Sequence, residues 1–150
     1  MDSIVRNAKL QSGSVVDIAI DKGIISHISP NLPVNAPIEI SAKGNLVLPA
    51  FVNGQLHACK VFWRRGLARL PKYIRELPRF EAAHVVKKQY TVEDVVSRVD
   101  EVVRLAILNG TCAIRLFADV DEDSGLTALK GLLEIKRNYS QVMTVQVAAF

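Results

Sequence analysis

The chain has only two cysteines, Cys59 and Cys112, with no paired spacing. That argues against a disulfide framework and for a reducing, cytoplasmic setting. No apolar run approaches the roughly 20 residues needed to cross a bilayer. The opening Met1-Asp2-Ser3-Ile4-Val5-Arg6 lacks the charged start and apolar stretch of a secretory leader. Aromatics make up 6% of the residues, and Trp63, Tyr73 and Phe80 among the basic residues are read as anchoring a long loop rather than stacking on nucleobases. At 150 residues the chain also falls short of the about 250 that a complete eight-stranded α/β barrel typically needs. What is present is ordinary for a globular protein: 49% hydrophobic and 23% charged, enough to bury roughly 70% of the unfolded surface in a complete fold.

The net charge of +4 is unevenly spread. Residues 60–88 hold nine of the 19 basic residues against only Glu76 and Glu81. A domain-wide nucleic-acid footprint would be broader, so the basic segment is assigned to one loop region.

Residues 1–48 read as a small antiparallel β unit, part of a β-sandwich. Ile4–Ala8, Val15–Ile20 and Ile24–Ile28 are strand-like, and Asp21-Lys22-Gly23 is a hairpin signal with Gly23 free to take positive φ. Ile38–Ser41 and Leu46–Pro49 are further strands around a turn. Residues 49–150 read as strand, long basic loop, helix, strand, helix, strand. Phe51–His57 is the first strand of this part. Residues 61–90, broken by Pro71 and Pro78, form a loop with a short helix near Pro71–Glu76. Thr91 caps a helix carrying Val92, Val95, Val96, Val99, Val103 and Ala106, which stops at Asn109-Gly110. Thr111–Ala118, a helix through Leu126, Leu129, Leu132 and Leu133, and Val142–Phe150 follow. Apolar strands alternating with helices imply a parallel sheet with right-handed crossovers.

Chemistry concentrates in Leu48-Pro49-Ala50-Phe51-Val52-Asn53-Gly54-Gln55-Leu56-His57-Ala58-Cys59-Lys60. Residues two apart on a strand share a face, so Gln55 and His57 point together toward the C-terminal mouth, where parallel barrels place their active groups. This segment resembles the first barrel strand of metal-dependent amidohydrolases, "PGFVDxHxH", of the cytosine deaminase and isopropylammelide amidohydrolase group. Ala42-Lys43-Gly44-Asn45-Leu46-Val47, Gly110-Thr111, Arg115 with Asp119-Val120-Asp121, Leu133-Glu134-Ile135-Lys136 and Gln146-Val147-Ala148-Ala149-Phe150 carry the resemblance further.

The resemblance implies an α/β fold: the N-terminal β unit followed by the first three strands and two helices of an incomplete (β/α)8 TIM-type barrel. It implies metal-dependent hydrolysis of an exocyclic C–N bond on a nitrogen heterocycle such as a pyrimidine or s-triazine, with zinc or iron activating water. His57 stands at the second position of a degenerate His-x-His pair and Gln55 at the first. Cys59 replaces a frequent Asp, and Phe117 replaces a His. A neutral amide oxygen is a poor exchange for an imidazole at such a metal, so the chain alone is expected to be inactive and its hold on metal weak or absent. No residue is assigned a catalytic role.

The alternative is a non-catalytic interaction protein derived from the same fold. Partners on these readings are a small nitrogen heterocycle, a second copy, or a chain supplying the rest of the barrel, with no membrane and no nucleic acid. Arg115 is expected to pair with Asp119, because a buried unpaired charge is costly. Asp119–Asp123 lacks the spacing of a calcium loop. Val145, Val147 and Ala149 are expected to lack cover.

Overall fold

A computed structural model describes residues 1–150. Two compact units follow one another along the chain, Met1–Pro49 and Ala50–Phe150.

The first unit is a four-stranded sheet of β1 (Ser3–Lys9), β2 (Val15–Asp21), β3 (Ile24–Ser29) and β4 (Ile38–Ser41), in the order β3-β2-β1-β4. The β2–β3 turn has positive φ at both Lys22 and Gly23, the geometry that matches the twist of a two-residue hairpin. The sheet is mixed, not antiparallel throughout, because β4 runs parallel to β1. The crossover is pinned from below. Asp17 accepts the Leu32 N–H at 3.1 Å, while Arg6 donates to the Leu32 carbonyl at 2.8 Å and pairs with Asp17 at 3.0 Å and Glu39 at 2.9 Å. Ala8, Val16 and Ile18 form the buried cluster of this unit. Residues 46–49 are no strand; Leu46 makes only an isolated bridge to Lys9.

The second unit is a parallel three-stranded sheet, β5 (Phe51–Leu56), β6 (Thr111–Ala118) and β7 (Thr144–Ala149), ordered β5-β6-β7. Helices α4 (Val92–Leu108) and α5 (Thr127–Asn138) pack on it. The Thr91 hydroxyl accepts the Asp94 N–H at 3.1 Å, capping α4 as its sequence predicts. Val95, Val99 and Val103 of α4 and Ala128, Leu132 and Ile135 of α5 meet Ile114, Leu116, Ala118 and Val145 in one core. Each fully buried Val, Leu or Ile side chain there contributes about 1.5–3 kcal/mol. Val145 is buried and Val147 packs against the same core, contrary to the expectation that they lack cover. The opposite face of the sheet is the open one, with Arg115 and Gln146 exposed side by side.

The segment 61–90 is largely helical rather than loop. A 3₁₀ turn at Ala58–Lys60 leads to α1 (Trp63–Leu67), α2 (Lys72–Arg75) and α3 (Arg79–Lys87). Pro71 and Pro78 stand at the caps of α2 and α3. A proline at a helix start forfeits only an N–H that has no intrahelical partner, so these prolines begin helices instead of breaking them.

Candidate functional site

The C-terminal ends of the three parallel strands bring together residues far apart in sequence. His57 follows β5, Phe117 and Asp119 lie at the end of β6, and Phe150 follows β7. The His57 ring stacks on Phe117 with centroids 5.4 Å apart and meets Phe150 edge-on at 4.9 Å. Phe117 therefore packs directly against the imidazole. Gln55 is exposed, and no side-chain hydrogen bond joins it to His57. The β5–β6 register is irregular between Asn53 and Leu56, just before this position.

Asp119 is the electrostatic centre. Its side chain is 6% exposed and takes Lys87 Nζ at 2.7 Å and Lys60 Nζ at 3.1 Å on one oxygen. Burial pushes its carboxyl up, but the two ammonium groups outweigh that and hold it below the ordinary range. Burial likewise pushes the Lys87 ammonium down, and its hydrogen bonds to Asp119 and Asp121 more than restore it. Lys87 donates to Asp121, whose carboxyl is strongly lowered by that bond and by the Ser124 N–H and hydroxyl. His84 and Lys88 of the same helical segment reach Asp123.

The result is a clasp tying α3 to the loop after β6. Arg115 takes no part in it: its Nε donates to Gln146 Oε1 at 2.9 Å. The expected Arg115–Asp119 pair is thus replaced. Arg115 lies on the open face, where it needs no carboxylate, while Asp119 turns toward the two lysines.

One feature of this cluster is unsatisfied. His57 Nδ1 and Asp119 Oδ1 are both buried without a hydrogen-bond partner and stand 3.8 Å apart, beyond hydrogen-bond reach. Cys59 is fully buried, with its sulfur 3.7 Å from the Phe117 carbonyl oxygen. Burial pushes its thiol up, away from the thiolate that a metal would need.

These residues do not fit a divalent metal. The set offers one imidazole hemmed by two phenyl rings, an exposed neutral amide, and a carboxylate already neutralised by two ammonium groups. No group of three His, Cys, Asp or Glu side chains is arranged to hold a cation. Lys60 and Lys87 were not singled out from the sequence. The signal available was the run of acids at 119–123 set against basic residues at 84–88.

The parallel sheet, the crossover helices and the preceding β unit define the class: a mixed α/β fold of the amidohydrolase kind. The chain is similar to the N-terminal part of amidohydrolases of the cytosine deaminase and isopropylammelide amidohydrolase group. In particular, it is 36% identical over 154 aligned residues to N-isopropylammelide isopropyl amidohydrolase of Pseudomonas sp. (strain ADP), covering 99% of this chain and 38% of that protein. The solved N-isopropylammelide isopropylaminohydrolase of Burkholderia multivorans ATCC 17616 superposes with TM-score 0.81 at 24% identity, over 100% of this chain and 38% of that one. The 5-methylcytosine deaminase of Klebsiella pneumoniae, solved with 5-fluorocytosine, gives TM-score 0.76 at 24% identity, over 98% and 36%. The chain thus spans well under half the length of the relatives it matches. No family model matches it.

Proposed function

We propose that this chain is the counterpart of the N-terminal portion of a hydrolase that cleaves exocyclic C–N bonds of nitrogen heterocycles, and that it has no such activity by itself. The supporting observation is the 36% identity across 99% of the chain, joined to the placement of His57 at the C-terminal end of β5. On this reading, residues 1–48 are the small β unit and residues 49–150 are the first three strands and two helices of a TIM-type barrel. Gln55 and His57 stand at the degenerate His-x-His position. The metal implied by the resemblance finds too few donors here.

The chain's own residues hold the mouth of the sheet in order. Lys60 and Lys87 fix Asp119, and Phe117 and Phe150 fix the His57 ring. Amine release from N-isopropylammelide and from cytosine by the homogeneous chain, with and without added zinc or iron, tests the proposal. No turnover above background is expected. Turnover that disappears in His57→Ala contradicts it.

A second reading, a non-catalytic interaction protein that pairs with a copy of itself or with another chain, is favoured by one observation. The outer strand β5 exposes Phe51 and Val52, the latter 71% accessible, and Phe150 beyond the other outer strand is 68% accessible. Exposed apolar residues at the unpaired edges of the two outer strands are what an edge-to-edge interface covers.

A further inference from the structure

We propose that the cleft between α1, α2 and α3 binds a small organic phosphate, a site independent of the heterocycle chemistry above. The cleft measures about 400 Å³ and is walled by Arg64, Arg75 and Arg79 around an apolar floor that includes Trp63, Leu67 and Leu77. That volume lies within the range of small-molecule sites, roughly 300–1,000 Å³. No acidic residue lines it.

Arg65 beside Arg64 is committed to Glu101 at 2.6 Å, Arg98 to Asp94 at 2.8 Å, and Arg104 to Asp100 at 2.7 Å. The guanidinium groups of Arg64, Arg75 and Arg79 make no ion pair and no hydrogen bond within the protein. Arg69 and Arg137 also lack an ion pair, so the distinguishing feature is that three unpaired arginines line one cleft. Three guanidinium-bearing side chains lining one concave surface make its potential positive, which favours an anion there.

Chemistry narrows the occupant. A guanidinium offers a planar fork of donors that matches the oxygens of phosphate or carboxylate two at a time. A single carboxylate leaves most of the positive charge uncompensated, whereas a phosphate monoester brings close to two negative charges and enough oxygens for three forks. The apolar floor has no use for a bare inorganic ion but covers an organic substituent. A phosphate monoester with a small ring or aliphatic group meets both requirements. A nucleic-acid strand is disfavoured, because Trp63 is the only aromatic ring lining the cleft, whereas strand binding uses successive stacking rings along a groove.

Calorimetric titration of the full chain with phenyl phosphate, inorganic phosphate and a single-stranded oligothymidylate tests the proposal. Phenyl phosphate is expected to bind one per chain and more tightly than inorganic phosphate. Arg64→Ala, Arg75→Ala and Arg79→Ala are each expected to weaken it about tenfold or more. Arg104→Ala, which removes a guanidinium already paired elsewhere, is expected to leave binding unchanged. Arg75→Lys keeps the charge but loses the fork, so it is expected to bind more weakly than the unaltered chain. It also serves as the folded comparison if an alanine variant melts early. Absence of saturable binding, equal affinity for inorganic and phenyl phosphate, undiminished binding in Arg75→Lys and Arg79→Ala, or preference for the oligonucleotide each overturns the proposal.

Discussion

Arg98 shows how a single side chain can carry more than its position on a helix suggests. It lies on α4 between the core residues Val95 and Val99, with its side chain 7% exposed. Its guanidinium donates to the carbonyls of Cys59 at 2.8 Å and Val61 at 2.5 Å, holds Asp94, and lies over the Tyr90 ring at 4.5 Å. It therefore fixes the 3₁₀ turn directly after His57. Arg98→Met keeps much of the volume but strands two carbonyls, and is expected to cost about 2–4 kcal/mol in denaturant unfolding. An unchanged midpoint contradicts this role.

Asp17 gives the pH dependence of the first unit. The Asn7 N–H, then Arg6 and the Leu32 N–H, hold its carboxyl below the ordinary 3.8 against the opposing effect of burial. A depressed folded value contributes stability that is present above the unfolded value and is lost as pH falls through the folded one. Protection of the β1–β2 amides from hydrogen exchange is therefore expected to decline on acidification below about pH 4. In Asp17→Asn that acid-dependent decline is expected to be smaller, from a lower starting protection.

Among elements, α4 and α5 approach closely at Gly131. A β-carbon built on Gly131 lies 2.7 Å from Val95 Cγ1 and 3.0 Å from its Cβ, so the two helices meet only because residue 131 has no side chain. Alanine favours a helix by up to about 1 kcal/mol over glycine, but overpacking costs about 1–3 kcal/mol. Gly131→Ala is expected to be net destabilising by roughly 1–2 kcal/mol, with part of the loss regained in Gly131→Ala/Val95→Ala. A more stable single variant contradicts the close-packing account.

Much of the element pattern was legible because local chemistry decides it. The Thr91 cap, the valine stripe of α4, the Lys22-Gly23 turn and the limits of β6 follow from side-chain period and backbone preference. What was not legible depends on partners distant in sequence. The parallel β1–β4 pairing follows from Arg6 and Asp17 gripping residue 32. The short helix after Pro71 was expected, but α3 begins at Pro78, which reads as a breaker, and α1 has no start signal in the sequence. At the site, His57 was visible in its motif. The lysines that neutralise Asp119 were visible only as members of a basic segment, because ion pairing across a sheet end leaves no periodic trace.

For the molecule as a whole, the fold and the chemistry diverge. The backbone follows the two solved structures closely, with TM-scores of 0.81 and 0.76, while the side chains at the mouth of the parallel sheet form an aromatic and ion-paired cluster. A shared backbone does not fix the chemistry of a site, because core packing and surface chemistry place separate demands on a sequence. The central claim is that this cluster does not hold a divalent ion. Native mass spectrometry of the full chain equilibrated with zinc and then buffer-exchanged tests it most directly. The chain is expected to appear at its metal-free mass. One zinc retained per chain, and lost in His57→Ala, contradicts the account.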